Sequence, residues 1–308
     1  MGTFLPVTFD YWGYTITTDK QFMHPQDIYG WLSVRAYWYD GLTFDTFKNG
    51  YDHSFCFGAL IDGIQVGYGR LITDYATYGY LADVYVEDAH RGKGLSKIML
   101  HTLLELDWVK RLRRINLRTR DAQLLYARFG FTAPVYPERI MGKQRDQSIV
   151  NKRALKNSEH VHVPFESGGQ YYRITTDKKQ MKPDEIHDWL CNKSYWAKGI
   201  PADIFQTSFK QSFCIGILHG ERQVGFARLI SDHTNTGYLA DVYVEEQHRG
   251  RGISKAMLNT LLEMDWVRQV NINLVTKDGH ALYEKFGFET CNPERIMELV
   301  QKGVYEGA

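Results

Sequence analysis

The chain says one thing twice. Residues 81–109 read LADVYVEDAHRGKGLSKIMLHTLLELDWV and residues 239–267 read LADVYVEEQHRGRGISKAMLNTLLEMDWV; 22 of these 29 positions are identical at a constant offset of 158. The likeness extends both ways. TITTDK (15–20) matches RITTDK (173–178), and HSFCFGALIDGIQVGYGRLITD (53–74) matches QSFCIGILHGERQVGFARLISD (211–232). LYARFGF (125–131) matches LYEKFGF (282–288), and PERIM occurs at 137–141 and again at 293–297. A repeat this long is a whole folding unit, and 308 residues suffice for two domains with cores of their own. The expected division is a first domain at 1–142, a polar, basic linker at 143–163, and a second domain at 164–308.

The second copy gives the plainest element pattern. YYRITTD reads as a strand, and PDEIHDWL as a helix opened by Pro183 and two acids. Residues 202–209 form a short helix. FCIGIL, QVGFARLI and YLADVYVEE follow as strands, the first two joined by the turn HGER. Residues 251–266 carry apolar residues at helical spacing: Ile253, Met257, Leu258, Leu261 and Leu262. NINLVT, GHALYEKFG and RIMELV complete a β-α-α-β-β-β-α-β-α-β order, which is α/β with a mixed, mostly antiparallel sheet flanked by helices.

Charge excludes several function classes. Lys+Arg 37 against Asp+Glu 36 leaves a net charge of +1, so no global field favours nucleic acid or an anionic membrane. No apolar run approaches the ~20 residues that span a bilayer, and MGTFLPVTFDYWGY lacks the build of a signal peptide. Cys56, Cys191, Cys214 and Cys291 form no CxxC pair and have no nearby histidine cluster, so no metal is expected. Cys56 and Cys214 hold matching places in apolar strands and read as buried thiols of a reducing compartment, the cytoplasm.

The chemistry concentrates where each LADVYV strand meets a helix. Arg91-Gly92-Lys93-Gly94-Leu95-Ser96 and Arg249-Gly250-Arg251-Gly252-Ile253-Ser254 are glycine-broken basic loops that open helices. The first-turn amides of a helix have no partner within it, and its dipole favours an anion there. The spacing is neither GxGxxG nor GxxxxGK[ST], which disfavours a dinucleotide fold and a P-loop. It resembles the R/Q-x-x-G-x-G/A signature of the GNAT superfamily of N-acetyltransferases, with Ser at the last position in both copies. The resemblance covers nearly all of each repeat. It implies two tandem GNAT-like domains, with acetyl-CoA held by Val84, Val86, Arg91, Gly92, Lys93, Gly94 and Ser96. The second set is Val242, Val244, Arg249, Gly250, Arg251, Gly252 and Ser254.

Tyr126 and Tyr283 stand three residues before FGF, where the resemblance implies the acid that protonates the departing thiolate; the alternative is a core tyrosine. TKDGHALYEKFGF (276–288) is similar to a bacterial GNAT subgroup, which marks His280 as a substrate contact, with Gln123 in its place in the first copy. Asp83 and Asp241 interrupt apolar strands. Each is either a base or ammonium anchor, or a structural carboxylate paired with an arginine such as Arg70 or Arg228. Glu87 and Glu245 are alternative bases or exposed caps. Tyr37-Trp38 and Tyr195-Trp196 either pack or line an amine pocket, and the copies then diverge at Tyr39-Asp40 against Ala197-Lys198. The implied function is acetyl transfer to a primary amine, of a small molecule or peptide, by direct attack in a ternary complex. A monomer with an internal pseudo-dimer is expected. The rival readings are a non-catalytic acyl-CoA sensor, and a pair with one working and one structural copy.

Overall fold

The computed structural model describes residues 5–36, 41–146, 148, 160–301 and 303–305. The first repeat runs β1 (Thr8–Tyr11), β2 (Tyr14–Thr17), α1 (Pro25–Arg35), α2 (Phe44–Asp52), β3 (Phe55–Ile61), β4 (Ile64–Thr73), β5 (Tyr78–Val86), α3 (Leu95–Leu104), β6 (Arg114–Arg118), α4 (Gln123–Ala127) and β7 (Ile140–Lys143). The second runs β8 (His162–Ser167), β9 (Gln170–Thr175), α5 (Pro183–Lys193), α6 (Ala202–Gln211), β10 (Phe213–His219), β11 (Arg222–Ser231), β12 (Thr236–Val244), α7 (Ile253–Leu262), α8 (Asp265–Arg268), β13 (Asn271–Val275), α9 (His280–Tyr283), β14 (Glu289–Thr290) and β15 (Ile296–Val300).

Two mixed sheets result, with strand orders β1-β2-β3-β4-β5-β6-β15 and β14-β7-β13-β12-β11-β10-β9-β8. Every pairing is antiparallel except β5–β6 and β12–β13. The opening strands β1 and β8 are absent from the sequence reading. Each forms a hairpin with its neighbour, over a turn that holds Trp12-Gly13 or Gly168-Gly169 at positive φ. The helices cover both faces of each sheet. On one face of the first sheet, Met99, Leu100 and Leu103 of α3 pack with Phe57, Leu71, Leu81 and Leu117. On the other, Ile28, Trp31 and Leu32 of α1 and Phe47 and Tyr51 of α2 pack with Cys56, Tyr68 and Tyr85. The second unit repeats both layers with Met257, Leu258 and Leu261 of α7, and with Ile186, Trp189 and Leu190 of α5.

The last strand of each repeat departs from the expected domain boundaries. The compact units are Met1–Pro134 with Pro293–Lys302, and Val135–Asn292 with Gly303–Ala308. β15 pairs with β6 (Met297 opposite Leu117), and β7 pairs with β13 (Met141 opposite Leu274). The linker expected at 143–163 is also shorter than its bounds. Arg268 donates to Asp146 Oδ2 at 2.7 Å, and β8 starts at His162. A physical reason for the exchange lies in one position. Glu298 stands opposite Asn116, is 5% exposed, and reaches Arg114 Nη1 at 3.6 Å. The corresponding Gly142 stands opposite Asn273, where an added Cβ would lie 2.8 Å from Cys291 Sγ and 3.2 Å from Asn273 Oδ1. The second sheet therefore has no room for a side chain at this register, while the first supplies a partner for a carboxylate.

Two outcomes follow from the exchange. A fragment ending at residue 142 has β6 with an uncovered apolar edge; expressed alone it should aggregate, and co-expression with 143–308 should return soluble protein by gel filtration. Gly142→Ala should cost roughly 1–3 kcal/mol in denaturant unfolding. Cys291→Ala in the same chain should recover most of that loss, because it removes the atom that is struck.

Candidate active site

Each site begins where a strand leaves its parallel neighbour. β5 pairs with β6 only through Tyr78–Leu81, and β12 with β13 only through Thr236–Tyr238. Beyond those residues β5 and β12 run on without that partner, and Val84, Val86, Val242 and Val244 occupy this continuation. The departure coincides with a bulge. The register of β4 on β5 shifts between Tyr68 and Arg70, and that of β11 on β12 between Phe226 and Arg228. Asp83 and Asp241 sit in these bulges with φ of 56° each. Left-handed backbone is costly for a residue with a side chain, about 1–3 kcal/mol, though aspartate tolerates it better than most.

What holds the bulge is an ion pair. Arg70 Nε donates to Asp83 Oδ2 and Arg228 Nε to Asp241 Oδ2, both at 2.5 Å, with all four side chains at most 7% exposed. Each guanidinium also donates to a serine, Ser54 or Ser212, at 3.1 Å. Of the two readings open for Asp83 and Asp241, this geometry is that of the paired structural carboxylate. Asp241 is further engaged by Trp196 Nε1 at 3.2 Å. Glu87 is bonded to Arg35, and Glu245 lies 3.7 Å from Arg222.

Past the strand end lie the glycine loops. Gly92 and Gly94 have φ of 77° and 82°, and Gly250 and Gly252 of 76° and 73°. A Cβ at 92, 250 or 252 would meet nothing within 4 Å, so it is the left-handed backbone, not space, that requires glycine there. Gly94 and Gly252 are the caps of α3 and α7 and supply no side-chain acceptor. Lys97 and Ile98 amides bond to Gly94 O at 3.0 and 3.1 Å; the amides before them have no acceptor within the helix. Such a helix start favours an anion. The signature arginines work partly as braces: Arg91 Nε donates to Val86 O at 2.9 Å, and Arg249 Nε to Val244 O at 3.0 Å. Lys93 is exposed. Arg251 Nη1 is bonded to Gln170 Oε1 at 2.6 Å, which ties the second loop to the β8–β9 hairpin.

The residues bracing the loops went unnoticed in the sequence. Tyr14 OH lies 3.0 Å from His90 Nδ1, and Tyr172 OH 2.9 Å from His248 Nδ1. The signal was present in the repeat itself, since both copies keep His before RG and Tyr in the second strand. Burial, with His219 beside it, lowers the pKa of His248, so its ring stays neutral at physiological pH.

Tyr126 and Tyr283 lie on α4 and α9, each 8% exposed and packed edge-on against Phe131 or Phe288. Burial raises the Tyr283 phenol far above its ordinary pKa, with smaller contributions from Tyr195, Tyr238 and Asp278. Tyr195 is 56% exposed, its hydroxyl 3.5 Å from Asp278 Oδ1, and its ring meets Trp196 edge-on at 4.9 Å. So Tyr283, Tyr195, Trp196 and Asp241 gather on one side of the second unit. His280 Nε2 lies 2.9 Å from Glu138 O, a bond that employs the ring in holding the turn before β7. Tyr37, Trp38, Tyr39 and Asp40 lie outside the described residues. Among the described residues no group of three His, Cys, Asp or Glu could hold a metal ion.

The chain builds this arrangement of parted strand and glycine-capped helix twice, once in each of two tandem domains. The chain belongs to the GNAT acetyltransferase family, whose model matches residues 25–131 and 183–288. Among its relatives is a Gibberella zeae protein described as an acetyltransferase, 30% identical over 135 residues, which covers 37% of this chain and 76% of that one. Another is the chloroplastic GCN5-related N-acetyltransferase 2 of Arabidopsis thaliana, 29% identical over 171 residues, covering 47% of this chain and 60% of that one. A solved Pyrococcus horikoshii structure described as an acetyltransferase shares the fold, with a TM-score of 0.51, 15% identity, and coverage of 96% of this chain and 92% of that one.

Removing one member of the bulge pair should expose its role. Arg228→Ala leaves a buried carboxylate without its counter-ion and should cost roughly 3–5 kcal/mol in equilibrium unfolding. Adding Asp241→Gly, which keeps the left-handed backbone and deletes the charge, should recover much of that loss.

Proposed function

We propose that the chain transfers acetyl from acetyl-CoA to a primary amine at two sites, one per unit, by direct attack in a ternary complex. The observation that carries this reading is the repeated juxtaposition of an open, glycine-capped helix start with a strand that has left its parallel neighbour. The pyrophosphate would lie on the amides of 92–96 and 250–254, and the pantetheine arm along 84–86 and 242–244. The thioester would then stand beside the bulge at Asp83 or Asp241. The small side chains of Ser96 and Ser254 leave the helix starts accessible and add a donor to each.

A buried phenol whose pKa is raised keeps its proton across the physiological range, so Tyr283 donates a hydrogen bond to the sulfur as its charge develops. Tyr126 is assigned the same role in the first unit. The carboxylates at the bulge serve there as braces of the backbone, and the amine loses its proton through water. Cys56 and Cys214 are ill-suited to a covalent acyl-cysteine route: each is 1% exposed, and burial pushes the Cys214 thiol up to about 12. The thiolate would appear only as pH rises toward that value, so thiol reagents at pH 8 should leave both residues unmodified in the folded chain. All four cysteines are free, which supports a reducing compartment such as the cytoplasm.

The test isolates one unit. Ser96→Glu places a carboxylate where the phosphate would sit in the first unit, and an acid at a helix start does not unsettle the helix. In that background Tyr283→Phe should lower kcat by about 10²-fold, with the acetyl-CoA dissociation constant unchanged. Unchanged kcat with chemistry rate-limiting would return Tyr283 to the core. Absence of thiol release from the intact chain with a broad panel of amines would favour an acyl-CoA sensor.

A further inference from the structure

The turn that follows the first repeat's last helix is part of the second unit, and it is fastened to the segment carrying Tyr283. Pro137–Arg139 form a single turn that leads into β7. Thr276 N donates to Arg139 O at 2.9 Å, and His280 Nε2 lies 2.9 Å from Glu138 O. Thr276 Oγ1 in turn accepts from Gly279 N at 2.8 Å, at the entry to α9. The turn thus borders the short stretch Thr276–His280, which also holds Lys277 and Asp278. At its charged end the Arg139 guanidinium stands over the Tyr136 ring at 3.8 Å, with Nε 3.6 Å from Glu138 Oε1.

Around the exposed Tyr195 the second unit therefore gathers groups of both signs. Asp278 lies 3.5 Å from the Tyr195 hydroxyl, and Lys277 Nζ lies 5.9 Å from its ring. The Arg139 charge also acts on the Tyr195 phenol, lowering its pKa against the larger effect of burial. The first unit has a matching turn, Pro293–Arg295, with Thr119 N donating to Arg295 O at 2.9 Å. The residue before that turn is Asn292, where the first repeat has Tyr136, so that position supplies no aromatic ring.

Resting on the acetyltransferase reading, we propose that Tyr136 and Arg139 determine acceptor specificity at the second unit's site, although they lie at the end of the first repeat. Arg139, held over the Tyr136 ring, and Lys277 supply positive charge near Asp278. This suits an amine that also carries a carboxylate: the ammonium end faces Asp278 on its way to the thioester, and the carboxylate faces Arg139.

The experiment uses the intact chain in two backgrounds, Ser96→Glu to report the second site and Ser254→Glu to report the first. Two primary amines of equal length are compared by kcat/KM, one ending in a carboxylate and one in a second amine. Arg139→Glu should lower the carboxylate-to-diamine ratio at the second site by about fivefold or more, as reversal of an exposed charge implies. The ratio at the first site should not move, and Arg139→Lys should keep the parental ratio. The acetyl-CoA dissociation constant and the unfolding midpoint serve as controls, because a purely structural turn would shift those and depress both amines alike. An unmoved ratio at the second site, a shift confined to the first, or an equal loss for both amines overturns the proposal alone. A parental chain that releases no thiol with either amine overturns the proposal alone, and silence across a broad panel of amines overturns it together with the acetyltransferase reading.

Discussion

The buried pair of Arg70 with Asp83, repeated as Arg228 with Asp241, is the interaction on which each site depends. An aspartate at φ of 56° in mid-strand is unfavourable by itself, and a buried carboxylate without a counter-ion is worse. Together they become tolerable, because the left-handed turn delivers the carboxylate to the guanidinium at 2.5 Å. The consequence is geometric. The strand bulges, the parallel pairing of β5 with β6 and of β12 with β13 stops before that point, and the strand end runs on toward the glycine loop. The parted strand and the glycine loop are two ends of one distortion.

The exchanged strands add a second constraint. In each unit the strand beside β6 or β13 comes from the end of the other repeat, and it brings its own preceding turn to the residues before Tyr126 or Tyr283. Glu298 beside Arg114, and Gly142 under Cys291, give the two strands different requirements. A duplication of like parts has thereby become a chain whose halves are not interchangeable.

Much of this was legible from the residues. The positive-φ glycines follow from RGKG and RGRG ahead of an amphipathic helix, because few other sequences make that turn. Asp83 was conspicuous as a charge inside LADVYV, and Arg70, thirteen positions away, was a candidate partner, but spacing alone did not decide between a base and a paired carboxylate. The strand exchange was hidden because PERIM is the same in both copies, and periodicity says that a strand forms, not which sheet receives it. The deciding residues, Gly142 and Glu298, lie just past the identical stretch, and their meaning needs the neighbours Cys291, Asn273 and Arg114. His280 read as a substrate contact, while its ring is bonded to Glu138 O, a partner 142 positions away.

The central claim is that both units carry a working coenzyme site built on an open helix start. Calorimetric titration of the intact chain with acetyl-CoA tests it most directly. Two sites per chain are predicted, falling to one in Ser96→Glu or Ser254→Glu and to none when both changes are present. A single site in the parental chain, or two that survive both substitutions, would contradict the account.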